Sequence, residues 1–168
     1  LIAGLYERMA RNGHWIYDDL VDQAERGPVE VLTLYDNRHM SVGRKRTILL
    51  SMAQGDYFAF VDDDDRVAEN YVSTILTGLE ANPGVDVLTF QQDCHHADTG
   101  LVEHCRYGLT LPYSQTPIGP KEAVWTGLPA HTMVWRTDLV QDIPFPDGNF
   151  GEDVGWVKQA CGRAKTEA

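Results

Sequence analysis

Five consecutive apolar residues, Tyr57-Phe58-Ala59-Phe60-Val61, run without a break into four consecutive aspartates, Asp62 to Asp65. A segment apolar at every position reads as a strand buried on both faces, and such a strand needs a sheet covered on both sides. The flanking sequence supplies the covers. Val29, Val31, Leu32, Leu34 and Tyr35 form an earlier doubly buried strand that stops at Asp36-Asn37. Ser41 can cap a helix running to Gln54, with Ile48, Leu49 and Met52 at helical spacing. A second helix is expected from Ala68 to Ala81, stopped by Asn82-Pro83-Gly84, and a third strand from Val85 to Phe90. Strands separated by helices of this length need crossovers, so the class is α/β with a largely parallel sheet.

Beyond Phe90 the pattern changes. Asp98-Thr99-Gly100 reads as the turn of a hairpin joining residues 91–96 to 101–107. Residues 111–129, rich in Pro and Gly, read as loop, His131 to Trp135 as a strand, and Glu152 to Cys161 as a helix. At the start, Ile2, Ala3, Leu5 and Met9 recur at helical spacing up to Asn12-Gly13, so the chain is expected to open inside a helix. The 168 residues suit one domain. With 14 Lys plus Arg against 25 Asp plus Glu, the net charge of -11 leaves no basic footprint for a nucleic-acid backbone. No apolar run reaches membrane-spanning length and no leader pattern opens the chain. Three irregularly spaced cysteines fit free thiols, and the protein reads as soluble and cytoplasmic.

The aspartate run sits where ligands bind in parallel sheets, at the carboxyl end of a strand. Four adjacent like charges repel, and a divalent cation, Mg²⁺ or Mn²⁺, relieves that repulsion while leaving coordination positions for a diphosphate. A solvated acidic turn is the alternative. Arg44-Lys45-Arg46 lies in the first turns of the helix capped by Ser41, where cations oppose the helix dipole unless carboxylates or a bound anion compensate them. Glu152-Asp153 opens the last helix, either as ordinary first-turn acids or as groups facing a cleft. His131 is a core histidine or a pocket ligand. Cys94, His95, His96, His104 and Cys105 could approach across the hairpin, but their spacing matches no zinc pattern. Trp125, Trp135 and Trp156 read first as core.

In order, these segments resemble a family 2 glycosyltransferase with the GT-A fold. The resemblance spans Val29 to Trp156 and rests on Val31 to Asn37, Ser41-Val42-Gly43-Arg44-Lys45-Arg46, Ala53-Gln54-Gly55-Asp56-Tyr57 leading into Asp62-Asp63-Asp64-Asp65, and Gly151-Glu152-Asp153. It implies a three-layer α/β/α nucleotide-diphospho-sugar transferase fold, mainly parallel in its central sheet, with an added β-hairpin. It also implies a metal-dependent inverting transfer from a nucleotide-diphosphate sugar, UDP-linked by preference, to an acceptor hydroxyl, with Mn²⁺ or Mg²⁺ as cofactor. By the same resemblance Asp64 and Asp62 match the metal-binding Asp-x-Asp motif, and Asp62 also faces the sugar nucleotide. Asp36 matches the acid that reads the nucleoside, Lys45 and Arg46 the basic residues near base and diphosphate, and Asp63 and His131 fall in the same pocket. Asp153 matches the catalytic base, with Glu152 beside it orienting the acceptor. Thr47 stands where many members carry Asn.

The family's opening strand is expected to be missing here, so the chain reads as truncated at its N-terminus. Its nucleotide-binding part is expected at about residues 1–92 and its acceptor side at about 93–168. An unfilled sheet edge would favour a homo-oligomer. A nucleotidyltransferase on a similar sheet and a catalytically silent sugar- or nucleotide-binding module are the rival readings.

Overall fold

A computed structural model describes residues 2–5, 16–36 and 38–168. Its central sheet starts with a strand the sequence reading missed. Ile2–Leu5 is β1, and it lies parallel between β2 (Thr33–Asp36) and β4 (Val61–Asp62). The opening helix expected across Ile2 to Leu5 is therefore replaced by a strand, and the sheet has no gap there. The edge that motivated an expected oligomer is filled. The remainder of that helical pattern, around Met9 to Gly13, lies outside the described residues.

The apolar run of residues 57–61 is divided. β3 (Tyr57–Phe58) pairs antiparallel with β10 (Val134–Arg136), which pairs antiparallel on its other side with β5 (Val87–Leu88), while β4 continues the run beside β1. The run thus passes from an antiparallel three-stranded sheet, β3-β10-β5, whose central strand comes from late in the chain, into a parallel one, β2-β1-β4. The expected fully buried strand at residues 29–35 is the shorter β2, half-buried throughout.

Alternation along residues 57–61 shows why every position is apolar. Phe58 and Phe60 enter a core with Leu49, Leu50, Trp135, Phe145 and Trp156, whereas Tyr57, Ala59 and Val61 face clusters containing Leu20, Val72, Leu88 and Val134. Side chains two apart share a face, so this one extended run packs on both of its sides. Helices α2 (Val42–Met52) and α5 (Glu152–Arg163) supply the first core, and α1 (Ile16–Ala24) with α3 (Tyr71–Ala81) the second. Helix α3 starts three residues later than the expected Ala68 and ends on Asn82 ahead of Gly84, whose φ of 78° suits a glycine. Trp156 is fully buried, stacked on Phe145 at 4.8 Å and edge-on to Trp135 at 5.5 Å, with its indole N–H donating to Ile143 O at 3.1 Å. It is core and no sugar platform.

The hairpin of β6 (Gln92–His95) and β7 (Val102–Tyr107) forms as expected, but it grows into a four-stranded sheet. The segment expected to be loop contains β8 (Ser114–Gly119) and β9 (Glu122–Gly127), with β9 parallel to β7. Pro117 and Gly119 lie at a register shift in β8, the irregular place in a strand where such residues are tolerated. Short α4 (Thr137–Val140) links β10 to the loop before α5.

Candidate active site

Asp36 and Asp62 end β2 and β4, and the first turns of α2 lie across both strand ends. Ser41 caps α2 by accepting the Arg44 N–H at 3.1 Å, which fixes where the next residues point. Lys45 and Arg46 are adjacent but project about 100° apart around the helix, so each meets a different strand. Lys45 Nζ donates to Asp36 Oδ1 at 2.8 Å, and this bond holds the Asp36 carboxyl below its usual range. Arg46 donates from Nη2 to Asp62 Oδ1 at 2.6 Å and from Nη1 to Glu152 Oε1. Its guanidinium packs against the edge-to-face pair of Phe60 and Phe145, 5.9 and 5.8 Å from their centroids. Carboxylates therefore compensate the buried cations of the basic triplet, and Arg44 stays exposed.

His131 joins the two halves of the site. It is 8 % exposed, with Nε2 at 3.4 Å from Asp62 Oδ2 and Nδ1 at 3.6 Å from Asp153 Oδ2. At 3.4 Å the Nε2–Asp62 contact is an ion-pair distance rather than an aligned hydrogen bond, and Nε2 is otherwise buried without a partner. Burial works against ionisation of Asp62, but His131 and Arg46 outweigh it and hold this acid well below the usual carboxylate range. Asp153 opens α5 with its side chain 37 % exposed, whereas Glu152 is buried against Arg46. Gly151 before them has φ of 75°, a turn that suits glycine.

The four aspartates separate by environment. Asp63 is buried, Asp64 is exposed, and Asp65 folds back so that its carboxylate accepts the Asp62 N–H at 3.2 Å. Asp65 as a residue reaches solvent, yet desolvation at its carboxyl and the charges of Asp62 and Asp64 push its pKa up to about 6. Among the described residues, no three His, Cys, Asp or Glu side chains form a set able to hold an ion unaided. Two of the hairpin's histidines pair with acids, His96 with Glu103 at 2.7 Å and His104 with Asp93 at 2.8 Å.

The sequence reading missed Tyr35. Its hydroxyl is buried without a partner, and burial, then the charge of Asp63, raises the phenol pKa to about 12. Position beside Asp36 was the available signal. The sequence placed Asp36, Lys45, Arg46, Asp62 and Asp153 as separate motifs, and the fold brings them around His131 and α2.

Residues 16–137, well over half of the chain, match the glycosyl transferase family 2 profile. The chain belongs to glycosyl transferase family 2. The match covers the aspartate run and His131 and ends before Glu152 and Asp153. This family 2 member shares its architecture with TarS of S. aureus. Residues 1–349 of that protein superpose with a TM-score of 0.60 at 16 % identity, covering 99 % of this chain and 56 % of that one. The same fragment in complex with UDP-GlcNAc gives 0.60 and 16 %, with 99 % and 54 % covered. A further TarS structure gives 0.57 at 15 %, covering 99 % of this chain and 34 % of that one. The chain thus spans about half of the TarS fragments it matches, and at this identity the likeness establishes the GT-A fold. No curated protein matches it significantly. Among the described residues no helix is long and apolar enough to cross a membrane.

Proposed function

We propose that this family 2 chain carries the donor site and catalytic base of an inverting glycosyltransferase, moving a sugar from a nucleotide diphosphate, UDP by preference, to an acceptor hydroxyl. The carrying observation is His131 spanning Asp62 and Asp153, which brings the acid ending β4 and the acid opening α5 to opposite sides of one imidazole. On this reading residues up to about 92 hold the nucleotide and those from about 93 form the acceptor side.

Asp153 takes the proton from the acceptor hydroxyl as its oxygen attacks the anomeric carbon, and the bond to the nucleoside diphosphate breaks with its electron pair leaving on the phosphate oxygen. Asp36 reads the nucleoside, held in place by Lys45, and Asp63 lines the donor pocket beside Tyr35. His131 takes part in the donor site through Nε2, which lies 3.4 Å from Asp62. Arg46 and Glu152 act by positioning Asp62 and the start of α5. The acidic oxygens fit Mn²⁺ or Mg²⁺ whose shell is completed by the substrate diphosphate, with exposed Asp64 as the main protein ligand and Asp62 beside it. Such a cation would offset charge on the departing diphosphate. The ground for a silent module, an absent opening strand, falls with β1 in place.

The test uses nucleoside-diphosphate release over a donor panel together with calorimetric titration of UDP with and without Mn²⁺. Asp153→Asn should lower turnover by about 10²–10⁴-fold with UDP affinity retained, the usual range for a lost general base. Asp64→Ala should remove the Mn²⁺-dependent part of UDP affinity. Undiminished turnover in Asp153→Asn would overturn the assignment of the base, and inorganic diphosphate as product would indicate nucleotidyl transfer.

A further inference from the structure

Two of the three cysteines face each other on the β6–β7 hairpin. Register places Cys94 opposite Glu103 and Cys105 opposite Gln92, so the cysteines are diagonal neighbours on one face of the sheet. Their sulfurs lie 3.5 Å apart, and both are free thiols. Their exposures differ sharply. Cys94 is open to solvent, whereas Cys105 is 4 % exposed, and burial together with the Cys94 thiol pushes Cys105 up to about 12. The third cysteine, Cys161, sits elsewhere, its sulfur against Pro129 O.

We propose that Cys94 and Cys105 form a dithiol/disulfide site that reacts with low-molecular-weight disulfides of the glutathione class. The Cys94 thiolate attacks one sulfur of the small disulfide, forming a mixed disulfide and expelling one small thiolate. Cys105 then gives its proton to solvent and attacks the Cys94 sulfur, closing the protein disulfide and expelling the second thiolate. Two protein thiols are oxidised and one small disulfide is reduced to two thiols. The high pKa of Cys105 slows the second step, and its proximity to Cys94 makes that step intramolecular. Closing 3.5 Å to a bond of about 2.05 Å also draws the backbones together, since diagonal neighbours start about 7–8 Å apart and a disulfide spans about 4.4–6.8 Å between Cα atoms, and the solvent-exposed Cys94 end of β6 makes that movement.

The bond fixes a hairpin that reaches the site. Gln92, opposite Cys105, accepts from the Tyr107 hydroxyl at 2.9 Å and from the Thr132 hydroxyl at 3.1 Å, and Thr132 follows His131. Oxidation ties β6 to β7 in the register that supports this relay.

The experiment treats the folded chain with excess glutathione disulfide at about pH 8, where thiolate forms readily. Free thiols, intact mass and cross-linked peptides are then measured. The expected result is a fall from three free thiols to one, a Cys94–Cys105 peptide link reversed by dithiothreitol, and a raised thermal midpoint. Cys161→Ser should leave the link intact. Cys94→Ser, checked for native circular dichroism, should leave Cys105 unreactive and the midpoint unmoved. A glutathione adduct persisting on Cys94, a dimer linked through Cys94, or three surviving thiols would each overturn the proposal.

Discussion

Arg46 concentrates the electrostatics of the site in one side chain. It pairs with Asp62 and Glu152 from a position 4 % exposed beside two phenyl rings, with Nε itself unpartnered. Removing one member of such a buried set leaves charges uncompensated, typically at about 3–5 kcal/mol. Arg46→Met should therefore lower unfolding free energy by roughly that amount in urea titration, and Arg46→Met with Glu152→Gln should recover part of it. A loss below about 1 kcal/mol for the single variant would show that Arg46 is dispensable to the packing. Sequence alone displayed the basic triplet but not its partners. Glu152 lies 106 positions away, and no spacing rule pairs residues at that range. His131 was equally ambiguous, because its meaning depends on the two acids the fold sets on either side of it.

At the scale of elements, the start of α2 is clamped to the loop before α5. The Gly43 N–H donates to Gly148 O at 3.0 Å, the Val42 N–H to Asn149 Oδ1 at 3.0 Å, and the Phe145 N–H to the Thr47 hydroxyl at 3.0 Å. Thr47, the departure from the family's usual Asn, is thus a working part of this clamp. A Cβ at Gly43 would come to 1.9 Å from Pro146 O, a backbone atom that cannot turn aside. Gly43→Ala should cost at least about 2 kcal/mol, as overpacking does, and depress transfer by shifting α2 from α5. Gly162, inside α5 with open space around its Cβ position, should respond oppositely, and Gly162→Ala should stabilise by about 0.5–1 kcal/mol. Thermal melts of both variants check the pair of signs. Helices were legible because capping and periodicity are local. β1 was not, since four residues carry no pattern until β2 and β4 flank them, and β8 was hidden by Pro117 and Gly119.

Across the whole molecule, Asp86 gathers three distant segments. Its carboxylate accepts the Lys165 and Thr166 N–H groups at 2.7 and 3.0 Å and meets Arg136 at 3.0 Å, while Thr89 N donates to Ala168 O at 2.7 Å along β5. Burial opposes its charge, but these donors prevail and hold its pKa below the usual value. The unfolded chain therefore binds this proton more readily, so the contribution is complete above the ordinary Asp range near pH 4 and fades as pH falls through the lower folded value. Asp86→Asn should flatten the acid limb of a stability–pH curve measured by denaturant unfolding, and an unchanged slope there would refute the role. The divided apolar run imposes a different, arithmetical condition on the molecule. Inserting or deleting a single residue between Tyr57 and Val61 reverses the phase of everything downstream, sending the phenylalanines toward the wrong core and Asp62 away from Arg46 and His131. Length variation here is a matter of parity, so lineages of this chain can drift freely in the length of their surface connections while this stretch behaves like a reading frame.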